Sequence, residues 1–380
     1  MMHQYYLLTD DQQDLQLLAR DFAQKEIAPN VQEWDKNSEL PNEIFEKAYD
    51  MGLHVMGIPE KYGGMGLDAT TRCIIREELG KADAGFAITI GASILGYKPL
   101  EIAGTDEQIR QFAELSLQGK LSAFCLTEVA GGSDAAQTKT TAKKVGDEYI
   151  LNGTKCFITN GAIAGIYTVF ATTDKSKGVK GLSAFMVKRD TPGISVGKEE
   201  DKLGIRTSNT TDVVFEDVKI PDTNLIGREG DGFKIAMQTL DRTRPEGSAT
   251  AVGICQAAID HSIKYAKERI VFGKPIAKHQ AIAFMLADME IQTQASRQMV
   301  MYAANLADQG IYDSKVAACA KTFCADTAVK VTTDAVQIFG GYGYCKDYPV
   351  EKLMRDAKIY QIFEGTNQIQ RIVISGNMLK

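Results

Sequence analysis

Glu148-Tyr-Ile-Leu-Asn-Gly-Thr-Lys-Cys-Phe-Ile-Thr-Asn-Gly161 sets two short β-type runs, Glu148–Leu151 and Cys156–Thr159, beside two turn dipeptides, Asn152-Gly153 and Asn160-Gly161. Asn-Gly marks a turn because both residues tolerate positive φ, and runs separated in this way read as paired strands. Tyr167-Thr-Val-Phe-Ala-Thr172, Leu182-Ser-Ala-Phe-Met-Val187 and Asp212-Val-Val-Phe-Glu216 continue the texture. They predict a compact antiparallel β-domain over residues 121–232.

The flanks are helical. Before the β region, Leu15, Leu18, Ala19 and Phe22 share one stripe behind a capping box at Thr9-Asp-Asp-Gln12, with breaks at Pro29, Pro41, Pro59 and Gly63-Gly64. After it, Ile282, Met285 and Met289, then Val316, Ala320, Phe323, Val331, Ala335 and Ile338, recur at helical spacing. The fold class is α+β: an N-terminal helical domain (1–120), the β-domain (121–232) and a C-terminal four-helix bundle (233–380).

Composition narrows the function. The 380 residues are 44% hydrophobic, enough for two or three cored domains, and the net charge of -6 with scattered Lys and Arg offers no footprint for nucleic acid. No apolar segment approaches the roughly 18 residues of a membrane span, and no basic stretch leads into an apolar one at the N-terminus. A soluble, cytoplasmic protein is expected. Seven cysteines without a CxxC pair and four isolated histidines provide neither a disulfide framework nor a metal site. His279, at the start of a helical stretch, reads as a capping or packing residue.

Any cofactor has to be held without the usual nucleotide loops, because neither GxGxxG after a strand nor GxxxxGK[ST] occurs. Several segments remain open to two readings. Phe124-Cys-Leu-Thr-Glu-Val-Ala-Gly-Gly-Ser-Asp134 is either a small-residue loop whose N–H groups bind phosphate or flavin oxygens, or an ordinary turn. Phe157-Ile-Thr-Asn-Gly161 is a flavin wall or a strand entering a hairpin. Arg269 and Phe272 stop a helix with a bidentate donor and a stacking ring, or mark a surface Gly-Pro terminator. Gln337-Ile-Phe-Gly-Gly341 ends what reads as the longest helix, with glycines for close approach or merely for a C-cap. Finally, Ile359-Tyr-Gln-Ile-Phe-Glu-Gly-Thr-Asn367 puts a carboxylate at the end of an apolar run. Ile359, Ile362 and Phe363 would desolvate Glu364 and raise its pKa toward the roughly 6–7 of a neutral-pH base. Alternatively, Thr366 or Asn367 caps the last helix and Glu364 is solvated.

Taken together these segments closely resemble the acyl-CoA dehydrogenase family, nearest to its short- and medium-chain enzymes. The likeness rests on Leu126–Asp134, Phe157–Thr159, Asp241-Arg-Thr-Arg244-Pro, Arg269–Lys274, Gln337–Gly341, Tyr348–Lys358 and Glu364-Gly-Thr366. The resemblance implies two helical domains around a β-domain, FAD as cofactor and a homotetramer built as a dimer of dimers. It implies that Phe124, Leu126, Thr127, Gly132, Ser133, Phe157, Ile158 and Thr159 cradle the flavin ring. Arg269, Phe272, Gln280, Gln337, Gly340 and Gly341 would reach the FAD of a neighbouring subunit, and Thr366, Asn367 and Gln368 would complete its site. Ser133, Asp241, Thr243 and Arg244 would face CoA, with Gly365 at the thioester.

The reaction so implied is α,β-dehydrogenation of an acyl-CoA, with Glu364 taking the α-proton, flavin N5 taking the β-hydride, and an electron-transferring flavoprotein taking the electrons. Related enzymes run as oxidases or enoyl-CoA reductases, and an idle relative would bind flavin or CoA as an assembly protein. Two letters depart from the family pattern: Val129 stands for its usual proline and Phe157 for its common tryptophan. Glu246, one turn after Thr243, is either a surface charge or a polar element of the pocket. Ile88, Ile90, Ile94, Leu95 and Tyr97 are expected to line the acyl pocket, with Lys98 its polar marker or a solvated lysine.

Overall fold

A computed structural model describes residues 8–380. Six helices come first: α1 (Asp10–Phe22), α2 (Val31–Asn37), α3 (Asn42–Asp50), α4 (Ala69–Ala82), α5 (Ala84–Ala103) and α6 (Asp106–Leu117). The capping box closes as expected, with Gln12 N donating to Thr9 Oγ1 at 3.2 Å and Thr9 N to Gln12 Oε1 at 3.2 Å. Leu18 leaves the predicted stripe and is exposed, while Ala19 and Phe22 are buried.

The strands of the main sheet are β1 (Ser122–Cys125), β2 (Thr141–Val145), β3 (Glu148–Thr159), β4 (Ile166–Thr172), β5 (Leu182–Lys188), β6 (Ile194–Val196), β7 (Thr210–Pro221) and β8 (Leu225–Ile226). They form one sheet in the order β6-β7-β3-β2-β4-β5-β8, with β1 beside β4. Most neighbours are antiparallel, as the sequence implies, but β1 runs parallel to β4, as does β2 at its single pair Thr141–Thr172.

Asn152-Gly153 is not a turn. The two runs around it are one twelve-residue strand, β3, paired along β7 with irregularities at Leu151/Gly153 and Lys155/Ile158. Asn152 does not reverse the chain but binds across the sheet, its Nδ2 donating to Asp217 Oδ1 at 3.0 Å and its Oδ1 accepting from Asp217 N at 2.9 Å. A Cβ on Gly153 would lie 2.7 Å from Thr140 Cα, so glycine is there for close approach.

The C-terminal part comprises α7 (Gly232–Glu268), α8 (Gln280–Asp308), α9 (Ser314–Phe339), α10 (Val350–Lys358) and α11 (Asn367–Met378). At 37 residues α7, not α9 with 26, is the longest helix. Its small buried face (Ala249, Ala251, Val252, Ala258) shares a core with Ala325, Ala328, Val331 and Ala335 of α9.

The helix α5 joins these layers, and its sequence shows why. Apolar on all sides, it sends Phe86, Ile90 and Ile94 into the N-terminal core, Tyr97 and Leu100 into the core beneath the sheet, and Ile88 into the C-terminal core. Gly96 lets it sit on β1 and β4: a Cβ there would lie 2.4 Å from Ser122 Oγ, and Gly96 O accepts from Thr168 Oγ1 at 2.7 Å. Its N-terminus is fixed by Asp83, which accepts from Phe86 N at 2.8 Å and from Lys352 Nζ at 2.7 Å.

Candidate active site

One cleft of about 300 Å³ opens where α5, β1, β3, α7 and the segment before α11 meet. It gathers Phe124, Leu126, Thr127, Gly132, Ser133, Phe157, Ile158, Thr159, Thr243, Arg244, Glu364 and Gly365, residues drawn from four sequence segments. A second cleft, with no lining residue in common, holds Arg269, Phe272, Gly340 and Gly341. Gln280 and Gln337 are exposed, at the start of α8 and near the end of α9. Asp241 lies one turn from Arg244 and pairs with its Nη1. Thr366 caps α11, accepting from Ile369 N at 3.2 Å, and Gln368 is exposed beside it. Asn367 is buried, accepting from Lys321 Nζ at 2.9 Å and donating to Asp326 Oδ1 at 2.7 Å.

Backbone strain falls on this set. Phe157, Phe272 and Glu364 are held at φ of 55°, 51° and 54°, a region that bulky side chains avoid and that structures retain mainly at working sites. For Phe157 the cause is the irregularity of β3 between Lys155 and Ile158, which turns the ring out of the sheet to 65% exposure at the cleft wall. For Glu364 the turn continues into Gly365 at φ 88° and is tied by Lys321 Nζ, which donates to Gly365 O at 2.8 Å, and by Gln370 Nε2, which donates to Glu364 O at 3.1 Å.

Both readings of the 359–367 segment hold in part: Thr366 caps the last helix, and Glu364 lines the cleft rather than bulk solvent. Burial pushes the Glu364 carboxyl up, against the opposing pull of Arg76, Lys321 and Arg244. Part of its surface is still accessible because it borders the cleft, while protein encloses the rest. Ile362 takes no share in this, being 49% exposed; Phe363 lines the cleft instead. Gly247 supplies the space, since a Cβ there would stand 3.1 Å from Glu364 Oε2.

Other charges gather around the cleft, and of the two readings of Glu246 the polar pocket element holds. Glu246 is no surface charge: it is buried beside the cleft and takes Arg72 Nε at 3.0 Å and Nη2 at 2.8 Å on Oε1, leaving Oε2 unpartnered. Lys98 is not solvated either, but buried against Glu101 at 2.6 Å. Of the expected acyl-pocket residues, Ile88, Ile94 and Leu95 line the cleft, whereas Ile90 and Tyr97 belong to cores. Lys155, fully buried, donates to Glu128 Oε1 at 2.7 Å and Leu126 O at 3.1 Å, pinning the 126–134 loop. Val129 on that loop is 91% exposed.

Models of the N-terminal, middle and C-terminal domains of acyl-CoA dehydrogenases match residues 9–120, 123–218 and 230–379. The short-chain specific acyl-CoA dehydrogenase of Megasphaera elsdenii is 48% identical over 98% of this chain and 99% of its own. The butyryl-CoA dehydrogenase structure from that organism superposes with a TM-score of 0.96 at 47% identity, covering 99% of this chain and 100% of the other. A chain in the structure described as the electron transferring flavoprotein of Acidaminococcus fermentans gives 0.97 at 48% identity, with coverage of 99% and 100%. The geometry fits FAD. Two exposed aromatic rings on strained backbone, Phe157 and Phe272, each have open glycines nearby, Gly132 for one and Gly340 and Gly341 for the other, where even a Cβ would meet nothing within 4 Å. The chain belongs to the acyl-CoA dehydrogenase family and is an FAD-dependent oxidoreductase acting on a CH–CH bond.

Proposed function

We propose that the cleft carries out α,β-dehydrogenation of a short or medium, branched or alicyclic acyl-CoA, with Glu364 as the base that removes the α-proton. The observation carrying this reading is the Glu364 carboxyl itself, raised by burial, set on a strained turn and facing an apolar cleft. A carboxylate in water is far too weak a base for a thioester α-proton. Desolvation strengthens it, each pKa unit corresponding to about 1.4 kcal/mol. The Glu364 N–H, which among the described residues has no backbone acceptor, is available to polarise the thioester oxygen. Bound FAD supplies the acceptor for the hydride equivalent leaving the β-carbon. Phe157 and Thr159 wall its ring, and Thr127, Gly132 and Ser133 line the loop beside it. Ser133, Asp241, Thr243 and Arg244 face CoA, and Ile88, Ile94 and Leu95 exclude water from the acyl chain. The separate second cleft supports a homotetramer in which Arg269, Phe272, Gln280, Gln337, Gly340 and Gly341 complete the cofactor site of a neighbour. Thr366 and Gln368 complete the FAD site, and Asn367, buried against Lys321 and Asp326, stiffens the chain just after Glu364. The Acidaminococcus match supports an electron-transferring flavoprotein as acceptor.

Anaerobic titration of the FAD-loaded protein with acyl-CoAs of graded length tests this reading. Bleaching of the flavin spectrum with formation of the 2-enoyl-CoA is expected, together with little peroxide in air. An unbleached flavin across the panel refutes dehydrogenation, and rapid peroxide formation points to an oxidase.

A further inference from the structure

Arg72 and Arg76 are four residues apart on α4, so both guanidiniums leave one helix face and approach α7. Arg72 is matched, by Glu246. Arg76 is not: it is only 6% exposed, its Nε donates to Thr250 Oγ1 at 3.3 Å, and among the described residues no carboxylate pairs with it and neither Nη has an acceptor. Its guanidinium lies against the backbone of α5, where a Cβ on Gly91 would be 2.1 Å from Nη1 and 2.4 Å from Nη2. Arg76 and Gly91 both line the cleft that holds Glu364, alongside Ile88, Ala92 and Ile94. Of the other charges around this region, Arg72 is paired with Glu246, Lys98 with Glu101 and Arg244 with Asp241, whereas Lys321 and Glu364 form no close ion pair among the described residues. Glu364 lies near enough to couple to Arg76 electrostatically, yet forms no ion pair with it. Its counter-charges, Glu364 and Glu246, act on it only at a distance, and the planar fork of a buried guanidinium suits direct bidentate pairing with a carboxylate.

We propose that Arg76 is the receptor for a carboxylate borne on the acyl chain, so that the cleft takes the CoA thioester of a dicarboxylic acid. This rests on the reading of the cleft as an acyl-CoA site and deepens it. Bound in this way, the substrate supplies the directly paired carboxylate that Arg76 lacks among the described residues, and Gly91 keeps the guanidinium from being displaced by a side chain on α5.

The test measures binding rather than turnover. FAD-loaded Glu364→Gln protein is titrated calorimetrically with succinyl-, glutaryl- and adipoyl-CoA and with butyryl-, pentanoyl- and hexanoyl-CoA. At one chain length or more the carboxylated thioester is expected to bind roughly 10- to 100-fold more tightly than its neutral counterpart. Arg76→Leu in the same background should abolish or invert that preference, and Arg76→Lys, which keeps the charge in a variant still able to fold, should retain part of it. Equal or tighter binding of the neutral thioesters at every length overturns the proposal while leaving the acyl-CoA reading intact. Binding of neither series overturns both. If Arg76→Leu in the Glu364-containing enzyme shifts the pH profile equally for both series without changing selectivity, Arg76 merely tunes Glu364 and the proposal fails.

Discussion

Two clusters of buried charge sit at opposite ends of α4 and α5, and they are built on opposite plans. At the joint, Lys352 Nζ donates to Asp83 at 2.7 Å and to Asp356 at 2.5 Å, Asp356 also accepts from Ile205 N at 2.5 Å, and Asp83 from Thr207 Oγ1 at 2.5 Å. The lysine is held strongly protonated by its two carboxylates, although burial alone would lower its pKa. In the cleft, among the described residues, Glu364 has no ion pair, no carboxylate pairs with Arg76, and Glu246 Oε2 and Arg244 Nε have no hydrogen-bond partner. Burial is common to both clusters, so it is not what distinguishes a working site. The distinction is how completely they are paired: the joint satisfies its charges from within the chain, whereas the cleft pairs Arg72, Lys98 and Arg244 internally and leaves Arg76 and Glu364 without a close ion pair among the described residues.

The largest effect expected from breaking this contrast is at Glu364. Glu364→Gln should lower kcat by roughly 10²–10⁴-fold, the range for a general base, while leaving FAD bound. Its stability should move the other way. Because the folded-state pKa is raised, the native protein holds the proton longer than the unfolded chain, and stability falls as pH rises from the ordinary carboxylate range to the raised value. Above that window the penalty is complete, so the amide should melt at least as high as wild type at pH 7, with the advantage vanishing at acid pH. Thermal melts across pH check this; a large fall in melting temperature at neutral pH would make Glu364 a structural residue.

Lys352→Met should do the reverse. It strands two buried carboxylates and should cost roughly 3–5 kcal/mol of stability, read from denaturant unfolding, while the fraction still folded retains its acid–base chemistry. A change in the pH dependence of kcat without loss of stability would contradict the division between joint and cleft.

The same contrast explains what the sequence made legible. Glu364, Phe157 and Phe272 stand out because each is a chemically apt residue beside a glycine or turn. Arg72, Arg76 and Lys321 do not, since their partners lie far along the chain: Arg72 meets Glu246 across 174 positions and Lys321 meets Gly365 across 44. A signal was nevertheless present in Arg72-Cys-Ile-Ile-Arg76, two arginines on one helix face within an otherwise apolar run. A charge there has to be paired or functional. Asn152-Gly153 failed for a different reason. Turn propensity is local, whereas the twelve-residue partner β7 provides a ladder that carries β3 straight through, with the glycine relieving a clash at Thr140.

A smaller effect tests the space around the base. Gly247→Ala would place a methyl 3.1 Å from Glu364 Oε2, so the carboxylate must shift by a few tenths of an ångström. A misplacement of this size should reduce kcat by roughly 10-fold with little change in melting temperature. An unchanged kcat would show that the carboxylate is free to move, contrary to the tight seat proposed for it.

The smallest expected change in activity concerns Lys321, which belongs partly to each plan: it is hydrogen-bonded like the joint, yet it lies behind Glu364 and its charge acts on that carboxylate. Burial lowers its pKa from 10.5 to about 8, with Glu364 pulling the other way. Conversely, the Lys321 charge favours the Glu364 carboxylate. Lys321→Met therefore removes a stabiliser of the base's ionised form, and the acid limb of the kcat/KM profile should move to higher pH, with roughly a 3-fold loss near neutrality and less above it. Stability supplies the independent sign. Between about 8 and 10.5 the unfolded chain binds more protons at this lysine than the native one, so wild-type stability should gain an increment of up to roughly 3 kcal/mol as pH climbs through that window, less any screening of the partly exposed amine. The methionine variant should lack that increment. A displaced acid limb with the increment still present would mean that Lys321 acts on Glu364 through the Gly365 carbonyl it holds rather than through its charge.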